Sequence, residues 1–187
     1  MVVSFEKRKK DFLSKKDKSS IGSWDKPILN LCKKINKKKD YYTLSSCSGR
    51  IVLIKNIIEK QPGLFIIREH KPITFTKLKK ALADYNERHG VIYKQEPCIL
   101  HVACKNLEKA RELLVKAQQA GWKQSGIIAL GSNRIVVELR STEYISFPII
   151  DKGKLLVDND FLKILVKESN SRLKRTWQKI KNLENKL

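Results

Sequence analysis

At 187 residues the chain can bury a sizeable core in one domain. Its 41% hydrophobic content excludes a disordered polymer. Lys and Arg number 40 against 19 Asp and Glu, a formal net charge of +21. Such a field attracts polyanions, so nucleic acid is the first partner expected and an anionic membrane surface the second. Four cysteines, Cys32, Cys47, Cys98 and Cys104, include no CxxC pair. That usage disfavours a disulfide scaffold and suits a reducing compartment. Lysines interrupt every apolar run before membrane-spanning length, so the expectation is a soluble, cytoplasmic protein.

Ser4 can cap a short helix carrying Phe5, Phe12 and Leu13 on one face and Lys7, Arg8, Lys9 and Lys10 outside. Residues 17–25 read as a loop. A second helix starts near Pro27 and buries Ile28, Leu31, Cys32 and Ile35, with Lys37, Lys38 and Lys39 at its end. Strand-like runs 41–44 and 51–58 flank Ser45-Ser46-Cys47-Ser48-Gly49-Arg50. The Ser48-Gly49 step reads either as a hairpin turn or as part of a polar pocket. In the pocket reading, hydroxyls, backbone N–H groups and the Arg50 fork offer donors to a carboxylate or phosphate. Pro62-Gly63 turns the chain into 64–70, where alternation places Arg68 and His70 opposite Phe65, Ile67 and Glu69.

Phe75, Leu78, Leu82 and Tyr85 mark a helix that Gly90 stops. Residues 98–104 form a short buried strand with Cys98, Leu100, Val102 and Cys104 on one face and His101 on the other. Asn106 caps the next helix, with Leu107, Ala110, Leu114 and Ala117 inward and Gly121 closing it. A hairpin spans 127–140 and ends in Arg140-Ser141-Thr142. Pro148 and Asp151-Lys152-Gly153 break the chain before a terminal helix from about Asp158. That helix has an apolar stripe and a basic surface that includes Arg172, Lys174 and Arg175. The fold class expected is α+β, one domain over 1–187. It has a mixed, largely antiparallel sheet with flanking helices, a helical segment over 1–40 and a basic helix over 158–187.

No P-loop, nucleophile elbow or Gly-x-Gly-x-x-Gly follows a strand, so a doubly wound Rossmann domain is not expected. Cys47, His70, His101 and Cys104 could gather as metal ligands, yet none of the usual paired spacings is present, and no metal is expected. Polar groups recur at predicted strand ends: 45–50, His70, His101 with Cys104, Ser125-Gly126 and 140–142. Strand ends of one sheet can converge on one rim. The residues alone point to a basic α+β protein whose polar strand ends can form a cleft.

These residues also resemble the tRNA wybutosine-synthesising protein three family over nearly the whole chain. Ser45–Arg50 is its most specific motif. Glu96-Pro97 leading to Leu100-His101-Val102-x-Cys104 is a second. Ala120-Gly121-Trp122-x-x-Ser125-Gly126, Arg140-Ser141-Thr142, Gly153–Val157 and Asn170 follow in order. Glu69, Ile21 and Gln95 depart from the family's usual residues. The resemblance implies a methyltransferase that uses S-adenosylmethionine, bound without a Rossmann fold. The acceptor is a ring nitrogen of the wyosine-type guanosine next to the anticodon of tRNA(Phe). Within that reading Ser45, Ser46, Cys47, Ser48, Gly49, Arg50, Arg140, Ser141 and Thr142 hold the donor. His70 or His101 accepts the proton. Lys7–Lys10, Lys37–Lys39, Arg172, Lys174 and Arg175 meet tRNA phosphates. The alternative is a non-catalytic, basic RNA-binding module.

Overall fold

The structure is a computed structural model that describes residues 3–14, 25–59, 62–131 and 134–187. Most of the loop expected over 17–25 lies outside them, as do Ser132 and Asn133. Ser4 Oγ accepts from the Lys7 amide at 3.2 Å and opens α1 (Phe5–Leu13). Pro27 sits in the first turn of α2 (Lys26–Lys37), whose Ile28, Leu31, Cys32 and Ile35 are all buried. There follow β1 (Tyr41–Cys47), β2 (Arg50–Lys55), β3 (Phe65–Glu69) and α3 (Phe75–Ala83), the last capped by Thr74. Next come β4 (Val91–Glu96), β5 (Ile99–Cys104) and α4 (Leu107–Gln119), capped by Asn106. The chain continues through β6 (Gly126–Gly131), β7 (Arg134–Arg140), β8 (Ile145–Asp151) and β9 (Lys154–Leu155). Asp158 Oδ1 accepts from the Phe161 amide at 2.8 Å, at the start of α5 (Asn159–Lys186).

The α+β class and the absence of a Rossmann fold are as expected, but the sheet differs in kind. There are two sheets, of order β1-β5-β7-β6 and β3-β2-β4-β8-β9, and every pairing in them is antiparallel. Ser48-Gly49 therefore closes no hairpin, because β1 pairs with β5 while β2 pairs with β3 and β4. Gly49, at φ 92°, redirects the chain from one sheet into the other. Helix α3 ends at Ala83, with Asp84 as its C-cap, well before Gly90. Leu107, expected inward, is 58% exposed, and Leu113 is buried.

The chain divides into two compact units. The first comprises Met1–Ser48, Cys98–Thr142 and Thr176–Leu187. One face of its four-stranded sheet sends Leu100, Val102, Val137 and Leu139 into a core with α2, α4 and the end of α5. Trp122 is fully buried there, and its Nε1 donates to the Lys179 carbonyl at 3.0 Å. Gly121, at φ 93°, ends α4, and a Cβ at that position would press on the Lys179 side chain at 3.2 Å. On the opposite face Phe5 of α1 packs on Tyr42, ring centroids 5.3 Å apart.

The second unit comprises Gly49–Pro97 and Glu143–Arg175. Ile51, Leu53, Ile67 and Tyr93 are buried on one face of its five-stranded sheet, and Tyr93 Oη donates to Ser169 Oγ of α5 at 2.7 Å. A bulge between Leu53 and Ile54 shifts the β2–β3 register, so that Phe65 stands on the side of Arg68, against the strict alternation expected. Pro148 does not break β8. It sits where the β4–β8 register slips, between Val91 and Ile92, a position that tolerates a missing N–H. Lys152 and Gly153 both have positive φ, as a two-residue hairpin between β8 and β9 requires.

Candidate active site

In the first unit three neighbouring strands bring one polar side chain each to a single row. Ser45 of β1 is registered against His101 of β5, which is registered against Glu138 of β7. Directly opposed residues of antiparallel strands point to the same side. Ser45 Oγ lies 2.8 Å from His101 Nδ1, and His101 Nε2 lies 2.9 Å from Glu138 Oε2. Both imidazole nitrogens are thus engaged, the carboxylate on one and the serine hydroxyl on the other. One step along the same face, Cys47, Ile99 and Arg140 form the next row. The Arg140 backbone is fixed on both sides, its N donating to Ser125 Oγ at 3.0 Å and its O accepting from Gln124 N at 3.2 Å.

The remaining residues expected to hold the donor are placed differently. Ser46 is registered against Leu100 of the core and hydrogen-bonds the Cys32 thiol, on the face away from His101. Ser48 is fully buried. Its N donates to Asp25 Oδ2 at 2.9 Å, while its Oγ has no protein partner. Ser141 is buried beside Cys98, whose carbonyl accepts from Ser141 N at 3.2 Å. Thr142 Oγ1 is held by Lys179 Nζ at 2.8 Å. Arg50, in the second unit, pairs through Nε with Glu96. His70 of the same unit follows β3 and is half-buried.

His101 and Cys104 occupy opposite sides of β5, which separates two of the four residues weighed as metal ligands. Cys104 is in the core, and burial pushes its thiol up to about 12. Cys32 and Cys98 are likewise raised to about 12 by burial. All three thiols stay protonated near neutrality.

Among the lysines and arginines expected to meet RNA, Lys7, Lys10, Lys37, Lys39, Lys174 and Arg175 are exposed. Lys9 Nζ donates to the Lys38 carbonyl, so the two lysine runs meet in the first unit. Beside them a cleft of about 260 Å³ is lined by Lys38, Lys39, Lys109 and Lys116, with Tyr41 and Glu112. Arg172 and Arg175 are committed to Glu168, and Arg175 also to Glu143. Glu138 is the functional candidate that sequence reasoning missed. It stands two residues before Arg140, but only the β5–β7 register puts it on His101.

Antiparallel pairing throughout the described strands defines a basic α+β protein that has to bind its ligands outside any Rossmann crevice. Residues 7–187 match the family model described as Methyltransferase TYW3; the chain belongs to that family, and its class is that of a methyltransferase. A Methanocaldococcus jannaschii protein named tRNA(Phe) 7-((3-amino-3-carboxypropyl)-4-demethylwyosine(37)-N(4))-methyltransferase is 35% identical over 89% of this chain and 87% of its own. A Xenopus laevis protein named tRNA wybutosine-synthesizing protein 3 homolog is 32% identical over 95% of this chain and 72% of its own. A solved Pyrococcus horikoshii structure superposes with TM-score 0.86 at 29% identity, covering 97% of this chain and 93% of that one. No helix among the described residues is long and apolar enough to cross a membrane.

Proposed function

We propose that the protein is a cytoplasmic tRNA methyltransferase acting on the N4 ring nitrogen of a wyosine-type guanosine beside the anticodon of tRNA(Phe), with S-adenosylmethionine as donor. The observation that carries this reading is the Ser45–His101–Glu138 row with Arg140 on the same sheet face. The relatives' names supply the substrate class. Ser48 Oγ, buried and without a protein partner, has the chemistry of a hydroxyl reserved for a ligand. It fits the donor's polar groups, and Arg140 fits its carboxylate. When bound, S-adenosylmethionine supplies an electrophilic methyl group.

The chain's own part is to align the acceptor nitrogen and remove its proton as the new bond forms. Because Glu138 holds Nε2–H, the neutral imidazole presents bare Nδ1 to Ser45. Ser45 Oγ–H passes its proton to Nδ1 while the hydroxyl takes the one leaving the acceptor, and Glu138 offsets the imidazolium. The acceptor lies in a single-stranded loop and can enter without a duplex being opened. The lysine runs of α1 and α2 then contact phosphates without reading sequence.

Donor-labelled transfer to tRNA(Phe) carrying the 4-demethylated tricyclic base tests the reading. Label is expected in that base alone. Saturable RNA binding with no transfer would leave only the non-catalytic module.

A further inference from the structure

We infer that the outer face of the five-stranded sheet is a stacking platform for an unpaired nucleobase, built on Phe65. This rests on the reading above in one respect, that the ligand is RNA. Phe65 lies on an edge strand and is 38% exposed. The guanidinium carbons of Arg68 and Arg50 stand 5.2 Å and 5.5 Å from its ring centroid, within cation–π reach. Arg50 is held there by Glu96, its registered neighbour on β4. Arg68 and Lys94 flank Val52 across one row, so a third cation shares the face.

Sheet stability alone does not account for this arrangement. A phenylalanine serving only the core would keep the side of Ile67, whereas the bulge at Leu53–Ile54 turns Phe65 out among arginines. Bulges that re-aim a side chain are a known device near binding sites. An aromatic ring and guanidinium planes on an open antiparallel sheet offer π-surface to any base, and the charges offer contacts to its phosphates. In a chain of net charge +21 the complementary occupant is a single-stranded nucleic acid segment. Arg50, committed to Glu96 and Phe65, belongs to this platform and not to the donor's carboxylate.

The test is anisotropy of the full chain with a single-stranded RNA heptamer and with a tRNA(Phe) anticodon stem-loop, across a salt series. F65A should weaken binding of both by roughly ten- to a hundredfold, with the salt slope unchanged, since stacking releases no counterions. F65W should restore affinity. R68A should lower the slope by about 0.7. Circular dichroism melts confirm that each variant folds. Wild-type affinity in a folded F65A overturns the platform, and so does a slope change in F65A equal to that of R68A. Wild-type protein that binds neither RNA overturns both the platform and the tRNA reading. RNA binding that responds to F65A, in a protein showing no methyl transfer, upholds the platform and overturns the enzyme reading alone.

Discussion

Asn170 grips Ile73 by both of its backbone groups. Its Oδ1 accepts from Ile73 N at 3.0 Å, and its Nδ2 donates to Ile73 O at 2.8 Å. Ile73 is buried just ahead of the α3 cap, so α5 fastens the entry to α3 within the second unit. Asn170→Ala would leave a peptide donor and acceptor without partners. The expected loss is about 1–3 kcal/mol, read as a lower urea midpoint at unchanged slope. An unmoved midpoint would show that water replaces the amide fully.

His101→Ala should lower the rate of methyl transfer by about a hundredfold or more, the usual contribution of a general base. Glu138→Gln keeps the shape of the row but not the charge that offsets the imidazolium. It should lower the maximal rate and alter its pH profile while leaving tRNA affinity intact. Equal activity of His101→Ala and wild type would move the role to His70.

Arg140→Ala should weaken S-adenosylmethionine binding by roughly ten- to a hundredfold in calorimetry, as expected on losing charge-assisted hydrogen bonds to a carboxylate. The hydrogen bonds of Ser125 and Gln124 to the Arg140 backbone survive the change. Unchanged donor affinity would take the carboxylate away from this face.

Replacing Lys37 and Lys39 by Gln should reduce tRNA affinity and flatten its salt dependence by about 0.9 for each phosphate no longer neutralised. Both side chains are exposed, whereas Lys38 is half-buried and its carbonyl already accepts from Lys9. A slope equal to that of wild type would make this stretch only a solvated surface.

The buried thiols set an alkaline limit. Cys32, Cys98 and Cys104 keep their protons to about 12 in the folded chain but release them near 9 when unfolded. The folded state then binds more protons than the unfolded state, so stability is complete below pH 9 and falls as pH rises toward 12. Each thiol contributes a slope of about 1.4 kcal/mol per pH unit in that window. Urea midpoints between pH 8 and 10.5 should decline, and Cys98→Ala should make the decline shallower. A flat profile would contradict the burial.

Helix α2 and strand β5 were legible because each carries a periodicity that a single buried face imposes. Ile28, Leu31, Cys32 and Ile35 repeat at helical spacing, and Cys98 to Cys104 alternate. β4 and β8 were not legible. Val91–Glu96 mixes Lys94 and Gln95 into an apolar run, and Gln95 is buried regardless. Pro148 reads as a breaker until the register slip opposite it is known. Strand partnership is a long-range choice, so neither the split into two sheets nor the meeting of Glu138 with His101 has a local signature. Of the proposed polar face, Ser45, His101 and Arg140 were named from sequence, and the carboxylate behind them was not.

Helix α5 gives its residues up to Arg175 to one unit and those from Thr176 to the other. Ile180 and Leu183 fill the interior of the four-stranded unit, which also draws on stretches before residue 49 and between 98 and 142. On the ribosome, therefore, that interior stays open until residues 176–187 have left the exit tunnel. Until then the cluster that holds Ile28, Leu31 and Leu113 is short of two of its fully buried side chains, Ile180 and Leu183.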